Sequence, residues 1–257
     1  MDLSIEIALP ASMGITVERV PAFAGSPFFT LNNNEPCFSG HDFTETPFQR
    51  YSELDSLGRC GVATALVCPA SMPNDQRGKI GHILPTGFLQ AEYDIIEGGD
   101  LYNRCHLMAY QLTGQNDNIQ NLITGTHFMN AKGMRPFENK IAHYVKETGD
   151  RVLYRITPVF KGEELVARGV QMEALSLAGR AMPTRASSFE SRNAQIEECH
   201  PENRNEQERL VSSEHVSESE HVSEGVCFNV FCYNAQPGVE IDYLTGASWQ
   251  EEFKSES

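Results

Sequence analysis

No apolar run in these 257 residues approaches the roughly 20 consecutive positions that a membrane-crossing helix needs, which excludes a helical integral membrane protein. The opening stretch Met1-Asp2-Leu3-Ser4-Ile5-Glu6 has neither a basic cluster nor a long apolar segment, so no secretory leader is expected. Cysteines number seven, an odd count without one C-x-x-C spacing or His/Cys knuckle. That sets aside a structural zinc site and points to reduced thiols, most of them buried. Tryptophan occurs once, but 14 Phe and 8 Tyr within a 40% hydrophobic composition suffice for a sizeable core. Positive charge is scarce as well: 20 Lys and Arg face 35 Asp and Glu, a net −15 at pH 7. A field of that sign repels polyanions, yet it is unevenly spread. The stretch 186–225 alone carries −7 and the tail 251–257 a further −2, which leaves −6 for the rest. Any polyanion partner must therefore be held by local basic groups and a metal ion, not by the global field.

Pro, Gly, Asn and Phe dominate the start of the chain, as in Pro21-Ala22-Phe23-Ala24-Gly25-Ser26-Pro27, so residues 1–50 read as an N-terminal extension of short strands and loops. Cys60–Cys68 is a small, apolar, buried strand. In Pro136–Val145 the proline suits a first helical turn, and Phe137, Ile141 and Tyr144/Val145 share a face. Gly149 is placed to end that helix. Arg151–Phe160 alternates as a strand, Lys161-Gly162-Glu163-Glu164 turns, and Leu165–Leu177 returns antiparallel to it. Val226–Asn234 and Val239–Tyr243 complete the strands.

Between the strands lies an acidic insert at about 186–225. It contains a perfect tandem hexapeptide, Ser213-Glu214-His215-Val216-Ser217-Glu218 followed by Ser219-Glu220-His221-Val222-Ser223-Glu224. Its charge and low complexity predict a disordered, dispensable hairpin loop. The expected fold is α+β, with a central antiparallel β-sheet. One domain spans 51–250, interrupted by the insert and trailed by an acidic tail at 251–257.

The residues with chemistry in them cluster in Tyr102-Asn103-Arg104-Cys105-His106, Asn118–Thr126, Met129-Asn130 and Phe137-Glu138-Asn139. Arg104 and His106 stand two apart in an extended segment and so share a face. An imidazole beside a cation suits phosphodiester cleavage: the ring takes a proton from water and the guanidinium holds charge on phosphate. A cationic neighbour also lowers the ring's proton affinity. Asn121, Asn130 and Glu138 offer the oxygen donors of a hard cation such as Mg²⁺.

Asn103-Arg104-Cys105-His106, followed by Asn118-x-x-Asn121-Leu122-Ile123-Thr124-Gly125-Thr126 and Met129-Asn130, resembles the Asp-Arg-Gly-His block of the DNA/RNA non-specific endonucleases. These are ββα-metal nucleases, and the likeness is strongest to the branch of bacterial DNA-uptake nucleases and streptococcal-type DNases. It continues through Pro136–Asn139, Val152–Val159, Val170–Ala174, Phe228–Val230 and Gln236–Tyr243, and so covers about 51–246 outside the insert. The resemblance implies a ββα-metal finger carrying the active site. It implies that His106 is the general base, Asn121 the direct ligand of one Mg²⁺ (Mn²⁺ as the substitute), and Arg104 a holder of substrate charge. Asn130 is implied as a second site asparagine, and Glu138 as a carboxylate reaching the metal through water. The implied activity is sugar-non-specific hydrolysis of DNA, and of RNA, by contacts to backbone rather than bases.

Two positions depart from the motif: Asn103 replaces Asp, and Cys105 replaces Gly with a side chain expected to face away from His106. Two competing readings follow from the residues. One is an inactive nucleic-acid-binding or assembly module, suggested by the acidic charge and the altered motif. The other is a cysteine-nucleophile hydrolase using Cys105 with His106, His82, His127 or His143, which the opposite faces of neighbouring strand residues disfavour. Relatives of the kind resembled act outside the cell, whereas no leader opens this sequence; an inhibitor or immunity protein is the partner expected if the chain stays within.

Overall fold

Residues alternate between two faces in the longest strands of the chain, and both faces are buried. The computed structural model describes residues 15–44, 46–178 and 225–250. Within them the strands are β1 (Phe28–Thr30), β2 (Gln49–Tyr51), β3 (Ala63–Val67), β4 (Tyr102–His106), β5 (Leu122–Thr126), β6 (Val152–Val159), β7 (Gly169–Ser176), β8 (Cys227–Tyr233), β9 (Val239–Ile241) and β10 (Ser248–Gln250). The helices are α1 (Tyr110–Thr113) and α2 (Arg135–Thr148), the latter entered through a π-helical turn, Met129–Met134.

Six strands form an antiparallel sheet in the order β1-β8-β7-β6-β3-β2, while β4 pairs with β5 and β9 with β10 in two separate two-stranded units. This is the α+β fold on a central antiparallel sheet that the sequence pattern predicts. The acidic insert up to Glu224 and the tail 251–257 lie outside the described residues. Among the described residues no helix is long and apolar enough to cross a membrane.

Every second residue of β6 (Val152, Tyr154, Ile156), β7 (Val170, Met172, Ala174) and β8 (Phe228, Val230, Cys232) enters the main core. Helix α2 closes that core with Ile141, Ala142, Tyr144 and Val145, and Phe137 sets its ring against Phe28 and Phe228 at 4.9 and 5.0 Å. Pro136 in its first turn and Gly149 at φ 69° bound the helix as the sequence predicts.

The opposite face of the sheet is more polar. There Arg155 pairs with Glu173 at 2.8 Å, and Gln171 donates to Asn229. The N-terminal segment seals this face: Cys37 N–H donates to Glu173, and Arg155 donates to the Cys37 carbonyl. The described part of this segment therefore contributes β1, the start of the other edge strand β2, and a cover to the central sheet.

Candidate active site

Strand β4 pairs antiparallel with β5, with His106 in register opposite Leu122. The chain then runs through the π turn into α2, which gives the strand–strand–helix order the motif calls for. Asn130 and Glu138 stand eight positions apart, which on a regular α-helix leaves them about 80° out of line. The wider i→i+5 winding of the π turn reduces that offset, and both residues line one cleft. The cleft, of about 570 Å³, is also lined by Arg77, Asn103, Arg104, His106 and Arg135. Its three arginines outnumber the lining carboxyls, Asp100 and Glu138, so a local basic surface sits in an acidic chain.

The imidazole is the best-defined group. His106 is nearly buried, and its Nε2 lies 2.8 Å from the Asn116 carbonyl oxygen, which can only accept. Nε2 therefore carries the proton, and the lone pair sits on Nδ1, where an Arg77 guanidinium N–H donates to it at 3.2 Å. Burial, reinforced by the Arg77 charge against the opposing hydrogen bond to Asn116, lowers the ring's pKa to about 4, so it is neutral at working pH. Glu138 is shifted the other way. Burial raises its carboxyl to about 8, although Arg135 and Arg77 pull it down.

Asn121 is not in the cleft. Its carboxamide is fully buried, with Oδ1 accepting from Met108 N–H at 2.7 Å and Nδ2 donating to the Met108 carbonyl at 3.0 Å. The structure therefore does not bring Asn121, expected as the direct metal ligand, to the cleft, because its carboxamide is buried against the Met108 backbone. Asn121 instead ties the chain leaving β4 to the start of β5, aided by its own carbonyl, which accepts from Leu107. Asn121→Ala strands a buried N–H and a buried C=O at about 1–3 kcal/mol each. We expect thermal unfolding to show a loss of about 3 kcal/mol or more, with cleavage falling only in step with the folded fraction. A fully folded variant without activity would contradict this role.

Arg104 lines the cleft but is largely committed. Its guanidinium donates to the carbonyls of Ile83 at 2.6 Å and Gly81 at 3.0 Å, and lies over the Phe88 ring. The cation that meets the imidazole is Arg77, not Arg104 as expected. Asn103 lines the cleft with a buried Nδ2 that has no partner among the described residues. Cys105 faces away from His106 into the core, as expected, and burial holds its thiol well above the usual range, which removes it as a nucleophile. His82, His127 and His143 do not line the cleft, and His143 pairs with Glu147 at 3.1 Å on the exposed side of α2.

Sequence reasoning missed Arg77 and Arg135. Arg135 was within reach of it, since it stands just before the predicted helix Pro136–Val145 and three positions before Glu138. Arg77 was not: it lies in a loop 29 residues before His106, and only the folded chain brings them together. Gly78 helps, because a Cβ there would come within 2.9 Å of the Asn116 side chain.

A central antiparallel sheet with a two-strand-and-helix unit presenting an imidazole, arginines and oxygen donors to an open cleft is the architecture of a ββα-metal nuclease. The profile of the DNA/RNA non-specific endonuclease family matches residues 42–177, and the chain belongs to that family. Among solved structures, NucA from Streptococcus agalactiae is similar at 20% identity over 92% of each chain, with TM-scores of 0.65 in its metal-free form and 0.64 with magnesium bound. The Sda1 nuclease with bound zinc is similar at 19% identity, TM-score 0.61, over 93% of this chain and 100% of that one. No curated protein matches.

Proposed function

We propose that the cleft hydrolyses the phosphodiester backbone of DNA, and of RNA, without base preference, and that His106 is the general base. The observation that carries this reading is the geometry of the imidazole: it lines the cleft, is fixed by Asn116 through Nε2, and turns Nδ1 to Arg77, which lines the same cleft. Arg77 occupies Nδ1 in the free protein. A phosphate entering the cleft competes for that guanidinium, because charge-assisted, bidentate bonds to phosphate outmatch one bond to a neutral ring. Nδ1 is then free to take a proton from a water aimed at phosphorus. Arg77 and Arg135 hold the charge that builds on the phosphoryl oxygens. Arg104 fixes the loop that follows Arg77 through its bonds to Gly81 and Ile83.

The donors present fit a hard divalent cation. Asn130 takes over the ligand role expected of Asn121, with Glu138 beside it acting through water. A buried carboxyl held near pH 8 is a group that a cation would discharge of its proton. Mg²⁺ suits this oxygen set, with Mn²⁺ as the substitute. Bound there, the ion would supply Lewis-acid stabilisation of the phosphoryl and leaving oxygens. Similar structures solved with magnesium and with zinc support a divalent ion.

Supercoiled plasmid, single-stranded DNA and RNA incubated with the protein in Mg²⁺ are expected to degrade to smears, with EDTA stopping all three. Thiol alkylation is expected to leave turnover unchanged. A gel shift without cut ends in Mg²⁺ would reject the hydrolytic reading and favour a binding module.

A further inference from the structure

We propose that Cys105 is a positioning residue whose S–H donates to Oδ1 of Asn130 and thereby sets the affinity of the cleft for its divalent ion. This rests on the reading of Asn130 as a metal ligand. The contact is built from below. Strand alternation turns Cys105 away from Arg104 and His106 and towards the π turn that carries Asn130. Its Sγ lies 3.4 Å from Asn130 Oδ1 and 3.5 Å from Met134 Sδ. The Asn130 amide oxygen is a better acceptor than the Met134 thioether and nearer than the His106 carbonyl at 3.9 Å, so the single thiol proton goes to Asn130.

The thiol has little freedom to turn elsewhere. Its register partner on β5 is Ile123, and diagonally across lies Gly125, where an added Cβ would stand 2.6 Å from Cys105 Cβ and 2.8 Å from Met129 Cε. The missing side chain is thus the space that Cys105 fills, and the tight fit faces its sulfur to the π turn. Among the described residues, Cys105 is the hydrogen-bond partner of the Asn130 oxygen. A donor on one lone pair of that oxygen decides which end of the carboxamide, O or NH₂, occupies that position, and leaves the second lone pair for a ligand. Partners of this kind, one step removed from a metal, change its affinity by about 10–100-fold when lost.

The test is direct titration with Mn²⁺, followed by electron paramagnetic resonance of the free ion with no nucleic acid present. Wild type, Cys105→Ala, Cys105→Ser and Met134→Leu are compared, and thermal unfolding in EDTA verifies that each is folded. Cys105→Ala is expected to bind Mn²⁺ about tenfold more weakly, while Cys105→Ser, which keeps a donor, and Met134→Leu, which alters only packing, stay close to wild type. Unchanged affinity in Cys105→Ala overturns the proposal, and so does an equal loss in Met134→Leu. Should Cys105→Ala fail to fold, Cys105→Val fills the volume without a donor and takes its place against Cys105→Ser. Asn130→Ala, titrated in parallel, separates the two claims: undiminished affinity there fails the ligand reading itself, whatever Cys105 does.

Discussion

His106→Ala is expected to lower the rate of plasmid cleavage by about 10²–10⁴-fold, the range a positioned general base supplies. The fold should persist, because the ring borders the cleft. The same substitution has a signature in stability. The folded ring titrates near pH 4, the unfolded one near 6.5. Below about pH 6.5 the unfolded chain takes up a proton that the folded chain refuses, so the contribution of His106 is present above 6.5 and is lost as pH falls towards 4. Acid denaturation of His106→Ala should therefore begin at lower pH than that of wild type. Nuclear magnetic resonance of the imidazole provides the direct check. A ring titrating at 6.5 or above would show that burial does not hold it neutral, and a variant cutting at the wild-type rate removes His106 from the role of base.

Glu138→Gln is expected to abolish cleavage and at the same time stabilise the metal-free protein at pH 8 and above. The carboxyl titrates near 8 in the folded state against 4.5 in the unfolded one. Its stabilising contribution is complete below 4.5 and is lost as pH rises through 8, since the folded state must then either hold the proton or bury a charge. A displacement of that size corresponds to on the order of 5 kcal/mol. Glutamine keeps the shape and removes the charge, so the melting temperature in EDTA at pH 8–9 should exceed that of wild type by on the order of 10 °C. The gap should close towards pH 5. A variant less stable than wild type across that range would show that the carboxyl is satisfied by its surroundings and is not held ready for a cation.

These opposite displacements, a base kept neutral and an acid kept protonated in one cleft, are the pattern by which a single fold poises groups for distinct tasks. The cost is borne by the surrounding core. The sheet buries both faces, the second one through Arg155–Glu173 and Gln171–Asn229 beneath the N-terminal segment.

Much of the framework was legible from residue order. Alternation gave β6, β7 and β8, because a pleated strand sends successive side chains to opposite faces whatever surrounds it. Pro136 and Gly149 marked α2, because one lacks an N–H that a first turn does not use and the other accepts the left-handed conformation at the helix end. The same alternation placed His106 in the cleft and Cys105 behind it. Asn121 and Asn130 could not be told apart in this way. Both are carboxamides close to β5, and their roles are set by which backbone groups lie within reach: Met108 for Asn121, the open cleft for Asn130.

By itself, then, the order of amino acids determined the long strands of the central sheet, the principal helix, the position of the imidazole and the kinship of the chain, since these follow from periodicity and short-range chemistry. Tertiary structure alone decided which asparagine faces the cleft, which arginine meets His106, and how far the two titrating groups are displaced. Those outcomes depend on burial and on contacts between segments distant in the chain, such as Arg77 on His106 and Arg104 on the loop at Gly81 and Ile83. A one-dimensional pattern carries no measure of desolvation, and desolvation is the largest cause of both shifts.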